Sequence, residues 1–547
     1  MTARGFRDIM PKEALARERI TRTVSDGFAA HGYLPVETPL LEHRASIERA
    51  SRMEDSPFQL FDGDGRLLAV RSDITMPIAR LVATRLRADE APFRLRYAAP
   101  VVREQADFKG SARQFTQLGI ELIGQAGVAA DGEVVSIAAE ALDAVGVRDW
   151  RIVCGSVRPL QLMLDACGVD ADRRELILSC VHASDFVDLD ECLAECDVPR
   201  AAREALAALP RVCGGEEALD AAESLLLRCG VERDAGGVSE LRALFSCARE
   251  AGFADRLHVD FSVVNSFDYY TGLVFSVYAS GVAAPLGSGG RYDDAFSRFG
   301  GRDLPAAGFA LSLERIEEAL DAPADGDRPL RIAVPKGSLF ADTVALLEAA
   351  GLPTEALRDA GRHLIVHAEG VDYVIVRPTD APAFVAAGGA DCGICGRDSL
   401  VEAGLDLVQL LDLGYGACRF VVAEPAGAPG AAEAAYARRG TVRVSTKYPR
   451  ITASYYERIG VQADIIALHG NIELGPMVGL SDRIVDITAT GTTLRENDLV
   501  VVDEVMRCSA RFFASPARLR TDERINALAA AFAAATGDAS EKEGTTI

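Results

Sequence analysis

The sequence predicts two units in tandem: an α+β domain on an antiparallel sheet, then an α/β domain on a parallel sheet. Three observations carry this. In the first half, strand-like segments rich in aromatics, such as residues 93–97 and 273–278, are interrupted by helices, as in antiparallel sheets with helices set beside them. In the second half strand and helix alternate in βα order: residues 331–334 then 341–349, and 372–376 then 381–387, the pattern of connected parallel strands. Between the halves, residues 321–329 (DAPADGDRP) contain no large apolar side chain and read as a linker.

Taken in order, the chain divides into a first unit at 1–320, the linker, a second unit at 330–536 and a small polar tail at 537–547 (GDASEKEGTTI), expected to be disordered. Residues 157–256 are nearly all helical in pattern and rich in Leu and Ala, which suggests a helical subdomain inserted into the first unit. There is no short-period tandem repeat.

Composition excludes several classes. With 547 residues, 49% hydrophobic and 25% charged, the chain has an ordinary globular composition and length for several folding units. No apolar run approaches the roughly 20 residues of a membrane helix. The N-terminus leads into a polar helix rather than an apolar signal core, so a cytoplasmic protein without a membrane partner is expected. A net charge of −23, from 58 basic and 81 acidic residues, argues against a broad nucleic-acid surface. The 12 cysteines follow no disulfide framework and read as reduced thiols. Cys392-Gly393-Ile394-Cys395 is a lone pair without a second, and a structural role is expected for it.

The segment richest in chemistry runs from Val485 to Leu494. An apolar strand carries one acid, Asp486, into a turn of hydroxyls around a glycine: Ala489, Thr490, Gly491, Thr492 and Thr493. Such a turn can aim several backbone N–H groups and hydroxyls at one phosphate, with a helix start at Leu494-Arg495-Glu496 favouring the anion. The acid ahead of it is placed for ribose hydroxyls. The alternative is an ordinary Thr-Gly turn between strand and helix.

In the first half, Gln117 and Glu121 lie four residues apart and face the same side of a strand. With Asp73 and the tyrosines Tyr269 and Tyr270 they suit a pocket for an amino acid: acids for an ammonium or imidazole, rings for a wall. The segments Gly5-Phe6-Arg7-Asp8, RSDIT (71–75), VVREQADFKGSARQFTQLGIELIG (101–124), DYYTGLVF (268–275), GSGGRYD (287–293) and GFALSLERI (308–316) together resemble the class II catalytic core of histidyl-tRNA synthetase over residues 4–320. The resemblance implies a class II synthetase-like fold. It matches Asp73, Thr75 and Gln117 to positions that hold an α-amino group, Arg103 to the arginine of motif 2, Glu121 to the acid on the imidazole side and Tyr269 and Tyr270 to the ring-packing tyrosines. Two departures matter. Asn265-Ser266 stands where these synthetases place arginine-glycine, and Arg103 is followed by Glu104-Gln105, which shifts the motif 2 acid. This is the pattern of the synthetase-like regulatory subunit of ATP phosphoribosyltransferase, which implies histidine binding without tRNA charging.

The second half resembles the short-form catalytic subunit of the same enzyme. The matching segments are LRIAVPKGSLF (330–340), VRPTDAPAFVAAGGADCGICGRDSLVE (376–402), LLDLGYGACRFVVA (410–423), VRVSTKYPRITASYY (442–456), LHGNIELGPMVGLSDRIVDITATGTTLRENDLV (468–500) and SARFFASP (509–516). The resemblance implies a two-lobed α/β fold of the periplasmic-binding-protein type, with lobes splitting near 420–422 and rejoining near 509–511. It further implies transfer of 5-phosphoribosyl from phosphoribosyl pyrophosphate to N1 of ATP, the first step of histidine biosynthesis. Asp486 and Glu473 are then the catalytic acids at the ribose, and residues 489–493 hold its 5-phosphate. Lys336, Gly337, Arg377, Asp391, Thr446, Lys447 and Tyr448 serve ATP or pyrophosphate, and Mg²⁺ travels on substrate oxygens. Ser338 stands where the family often has arginine. The expected partners are the two substrates, histidine as feedback inhibitor and further copies of the chain. The competing classes are a working histidine–tRNA ligase and a non-catalytic ligand-binding protein.

Overall fold

The computed structural model describes residues 1–50, 58–104, 112–232, 236–263, 270–301, 303–322, 328–489 and 491–543. The chain forms two compact units, Met1–Gly326 and Asp327–Ile547.

The first unit is built on a nine-stranded sheet, antiparallel except where Leu34–Pro35 pairs with Phe93–Val102 and Trp150–Gly155 with Leu257–Asp260. Within it, strand Gln114–Ile123 pairs on one side with Phe93–Val102 and on the other with Ala306–Ser312, which continues to Gly287–Arg291 and Val274–Ala279. Helices Pro11–Ala30 and Val128–Val145 pack against each other and the sheet, burying Ile20, Val24 and Phe28 from the first and Val134, Val135 and Leu142 from the second. The i, i+4, i+8 spacing of the first set gives one apolar stripe, as a helix on a sheet requires. Between strands Trp150–Gly155 and Leu257–Asp260 the described residues form six α-helices, from Arg158–Ala166 to Val238–Ala251, the helical insertion that the Leu/Ala pattern indicates.

The second unit has two sheets. The first-lobe sheet is six-stranded and contains Leu330–Pro335, Val371–Val376 and Cys392–Gly396 in parallel, with Ala510–Ala514 inserted antiparallel. The second-lobe sheet is five-stranded, with Val442–Thr446 parallel to Arg483–Thr488 and Cys418–Pro425 antiparallel to Arg483–Thr488 and Leu499–Cys508. The chain crosses between lobes at 413–417 and at Ser509, so the split falls a few residues before 420–422: Cys418 already pairs with Cys508 inside the second sheet. Cys392 and Cys395 are wholly buried and burial pushes both thiols up, in keeping with a structural role.

Three expectations are corrected here. Arg328 is not linker: its guanidinium meets Asp391 at 3.1 Å, which draws the chain into the second unit two residues early. The tail does not break at Gly537, because the alanine-rich helix that begins at Glu523 runs to Glu543. Asp391 does not line a substrate cleft. It precedes strand Cys392–Gly396 at the end where the parallel strands begin, accepts the backbone N–H of Arg331 at 2.8 Å and pairs with Arg518 Nε at 2.8 Å. Lys336, just past the other end of strand Leu330–Pro335, is five residues on from Arg331, about 16 Å away at ~3.3 Å per residue.

Replacing Asp391 with alanine takes from Arg518, almost completely buried, one of its two anionic partners and leaves Asp522 at 3.1 Å. We expect a loss of about 3–5 kcal/mol in unfolding free energy of the second unit, measured by urea titration of the full chain.

Candidate functional sites

In the first unit, the strand pleat puts Gln117, Gly119 and Glu121 on one face. Opposite them in register lie Tyr97 beside Gly119, and Gly308 beside Glu121 with Gly290 beyond. The three glycines clear this face. A Cβ on Gly308 would stand 1.9 Å from Glu121 Oε2, one on Gly119 2.5 Å from the Tyr97 hydroxyl, and one on Gly290 2.7 Å from the Tyr270 ring.

Glu121 is enclosed. Its Oε1 accepts from Thr75 Oγ1 at 2.7 Å and Tyr97 Oη at 3.2 Å, and its Oε2 accepts from the Tyr292 hydroxyl. Burial raises its carboxyl to about 7, with the hydroxyls opposing and Asp73 adding to the rise. Burial also raises Asp73, against the Met76 N–H it caps at 2.8 Å and the nearby Arg103 and Arg71. Gln117 is nine-tenths buried and its Oε1 has no hydrogen-bond partner among the described residues. Arg103 donates to Ser72 O at 3.0 Å and lies over the Phe115 ring at 5.0 Å. Arg315 lies in its field: burial lowers the Arg315 guanidinium first, and Arg103 lowers it further. The structure thus gathers Asp73, Thr75, Gln117, Glu121 and Tyr270 around the cleared sheet face. Tyr269, Asn265 and Ser266 lie outside the described residues. Tyr97 and Tyr292 were missed; the even register of Tyr97 against Gly119 and the GRYD segment were the signals available.

In the second unit, Lys336 and Arg377 follow directly on neighbouring parallel strands, with Pro335 opposite Val376 and Lys336 N bonded to Val376 O at 2.8 Å. Both side chains are exposed, and Gly337 takes φ +90°, which only glycine adopts readily. The second lobe supplies Asp486 near the end of its strand. Burial raises Asp486 to about 6, Glu473 adds to the rise, and the Ile487 N–H and Lys447 oppose it. The turn after it is shaped by Thr488, whose hydroxyl accepts from Gly491 N at 2.8 Å. Gly491 has φ +73° and precedes a helix of only five residues, Thr492–Glu496, so the helix dipole is a smaller part of this turn than the sequence suggests. Ala489, Thr492 and Thr493 are exposed; Thr490 lies outside the described residues. Arg495 folds back to donate to Thr492 Oγ1 at 3.1 Å, which adds a guanidinium to the loop.

In the third element, Thr446-Lys447-Tyr448, the side chains divide. The Thr446 hydroxyl is buried, donating to Val485 O at 2.8 Å and accepting from Tyr448 N at 3.0 Å. The Tyr448 ring packs edge-on against Phe420 at 4.7 Å. These two hold the turn together, and Lys447 is its exposed side chain. Lys447 also acts on Asp398, at the start of helix Arg397–Ala403 in the first lobe, where burial raises the carboxyl and Ser399 and Lys447 restrain it. One lysine therefore sits in the field of an acid from each lobe. Asp398 carried no role in the sequence reading although its GRD segment was conspicuous.

This arrangement can hold a phosphorylated sugar in the second lobe and a polyanion between lobes. A model of the histidyl-tRNA synthetase family matches residues 5–316, and one of the ATP phosphoribosyltransferase family matches residues 377–534. An ATP phosphoribosyltransferase from Rubrobacter xylanophilus is 54% identical over 188 residues, covering 34% of this chain and 87% of that protein. The chain belongs to the ATP phosphoribosyltransferase family, with a histidyl-tRNA synthetase-like first half. That half is 36% identical, over 314 residues, to an ATP phosphoribosyltransferase regulatory subunit from Moorella thermoacetica, covering 57% of this chain and 80% of that subunit. A solved structure titled as such a regulatory subunit/histidyl-tRNA synthetase, from Bacillus halodurans, superposes with a TM-score of 0.55 at 26% identity, covering 69% of this chain and 92% of the other. A histidine–tRNA ligase subunit from Alicyclobacillus acidocaldarius gives 0.50 at 32% identity, over 59% and 97%. The transferase thus carries its regulatory and catalytic halves on one chain. Among its described residues no helix is long and apolar enough to cross a membrane.

The glycine-cleared face makes a direct prediction. Gly308→Ala forces a methyl group against Glu121 and should destabilise the regulatory half by about 1–3 kcal/mol in thermal unfolding, with the catalytic half's transition unmoved.

Proposed function

We propose that the second-lobe loop 489–493 holds the 5-phosphate of phosphoribosyl pyrophosphate, that Asp486 and Glu473 hold its ribose hydroxyls, and that ATP enters against Lys336, Arg377 and Lys447. The observation that carries this reading is the grouping of Asp486, Glu473 and Lys447 beside a hydroxyl-rich turn. The reaction forms a bond from adenine N1 to the ribose C1 as the C1–O bond to pyrophosphate breaks. N1 attacks with its own lone pair, so the protein supplies positioning and charge rather than a strong base. Asp486 and Glu473, when ionised, stabilise the positive charge that grows on the ribose ring. Lys447, Lys336 and Arg377 offset the charge of the departing pyrophosphate, and Mg²⁺ arrives on substrate oxygens. Among the described residues no group of three His, Cys, Asp or Glu side chains is set to hold a metal.

The test is an assay with ATP, phosphoribosyl pyrophosphate and Mg²⁺, following the absorbance of N1-substituted adenine. Product is expected, and its absence overturns the reading. Because Asp486 is raised to about 6, its charge is present above that pH and lost below. Sugar-phosphate affinity should therefore fall as pH drops through about 6. Glu473→Gln, which removes a like charge, should move that limb to lower pH.

The first half, in this proposal, senses histidine in the pocket of Asp73, Thr75, Arg103, Gln117, Glu121 and Tyr270, with Tyr97 and Tyr292 added. The Gln117 Oε1, buried without a partner among the described residues, supports it as an acceptor for the α-ammonium. Copies of the chain are proposed to assemble. Glu121→Gln should weaken histidine binding and relieve inhibition while leaving uninhibited turnover intact. In the wild type, histidine affinity should rise as pH passes upward through about 7, where Glu121 becomes the anion that accepts an imidazole N–H. Full histidine sensitivity in Glu121→Gln, measured by titration of the assay, places the sensor elsewhere.

A further inference from the structure

Helix Arg397–Ala403 belongs by chain order to the first lobe, yet its side chains divide between the two cores. Leu400 is buried in a first-lobe cluster with Val385, Ala390 and Leu407, whereas Val401 packs against the second-lobe cluster of Tyr448, Ile451 and Tyr455. At its start, Arg397 N–H donates to Ser509 O at 3.0 Å and the guanidinium to Arg507 O at 3.2 Å, where the chain returns between lobes. Near its end, Glu402 reaches across. Its Oε1 accepts from Arg450 N at 3.1 Å and its Oε2 from Ile451 N at 3.1 Å. These are N–H groups of the first turn of the ten-residue second-lobe helix Pro449–Arg458, which has no cap of its own. The next position but one, Gly404, has no side chain, and a Cβ there would stand 2.5 Å from the Arg450 guanidinium carbon. One carboxylate thus satisfies two orphan donors of a helix on the other lobe, with charge complementary to that helix end.

Helix Pro449–Arg458 begins directly after Thr446-Lys447-Tyr448. We infer that Glu402 is a positioning residue for catalysis: by capping this helix from the opposite lobe it sets Lys447 against Lys336 and Arg377, so that the three cations meet one polyanionic substrate. The inference rests on the substrate assignment proposed above. It separates the two substrates. The residues assigned to the 5-phosphate and ribose all lie in the second lobe, whereas those assigned to ATP lie on both. The cap therefore governs ATP and leaves binary binding of phosphoribosyl pyrophosphate alone.

The experiment uses the full chain with Glu402→Ala and Glu402→Gln. We expect Glu402→Ala to raise the KM for ATP by about five- to tenfold, the scale of one lost helix cap, with Kd for phosphoribosyl pyrophosphate unchanged. Glu402→Gln, which keeps one acceptor oxygen, should recover part of the loss. Hydrogen exchange should speed up at the Arg450 and Ile451 amides in Glu402→Ala while the strands Val442–Thr446 and Arg483–Thr488 stay protected. Unchanged KM for ATP, or a parallel fall in phosphoribosyl pyrophosphate affinity, overturns the positioning role. An inactive wild type with the exchange change intact would instead sink the substrate assignment and leave the cap standing.

Discussion

The catalytic half depends on one buried carboxylate. Its first-lobe sheet is discontinuous in sequence: strand Ala510–Ala514 must return from the second lobe and insert beside Cys392–Gly396 and Val408–Asp412. Closing so long an excursion costs chain entropy that grows only slowly with length, so a few strong contacts at the return suffice. Asp391 supplies them. It meets Arg328 at the entrance to the unit, the backbone of Arg331 at the first strand and Arg518 just beyond the returning strand, while its own carbonyl accepts Ser515 N at 3.1 Å. Burying these charges has a large desolvation cost, which is offset because every oxygen of the acid is used. With entrance and return pinned together at that end of the sheet, strand Ala510–Ala514 is held beside its neighbours, and both crossings, at 413–417 and Ser509, leave from its other end.

The two halves place a raised acid in different surroundings. Glu121 sits among hydroxyls that donate to it, with no cation at hydrogen-bond distance among the described residues. Asp486 keeps a second acid and a lysine in its field. The first is suited to accepting a ligand's proton donor in exchange for a hydroxyl. The second is suited to a site where positive charge appears and disappears, since a carboxylate beside a like charge gains most when a cation forms between them.

Much of this was legible in the sequence because the patterns are local. The alternation in Gln114–Ile123 fixes which residues share a face, and βα order fixes which turns stand at the strand ends, so Gln117, Glu121, Lys336 and Arg377 could be placed by counting. What was not legible depends on partners distant in sequence. Asp391 has the same short-range signature as a cleft acid, and only the arginines at 328 and 518 reveal it as structural. Thr446 and Tyr448 read as ligand contacts until the hydroxyl finds Val485 O and the ring finds Phe420. Tyr292, Asp398 and Glu402 sat inside conspicuous segments, but their roles arise from what faces them across a sheet or a lobe boundary. The alanine run before Gly537 outweighs the polar composition after it, because helix propensity propagates along a chain already nucleated against a core.

The face around Glu121 is defined by what Gly119, Gly290 and Gly308 lack. A glycine codon has the form GGN, and every change at its first or second base that still encodes an amino acid adds a side chain. The cleared face, proposed above to sense histidine, can therefore be filled by a single nucleotide change at any of three places, none of them in the catalytic half. Reopening it requires restoring the same glycine, or remodelling the rings and carboxylate that the new atom struck. Loss and recovery are thus unequal in mutational distance. On the proposed function, a lineage that no longer benefits from feedback can shed it in one step and keep the transferase.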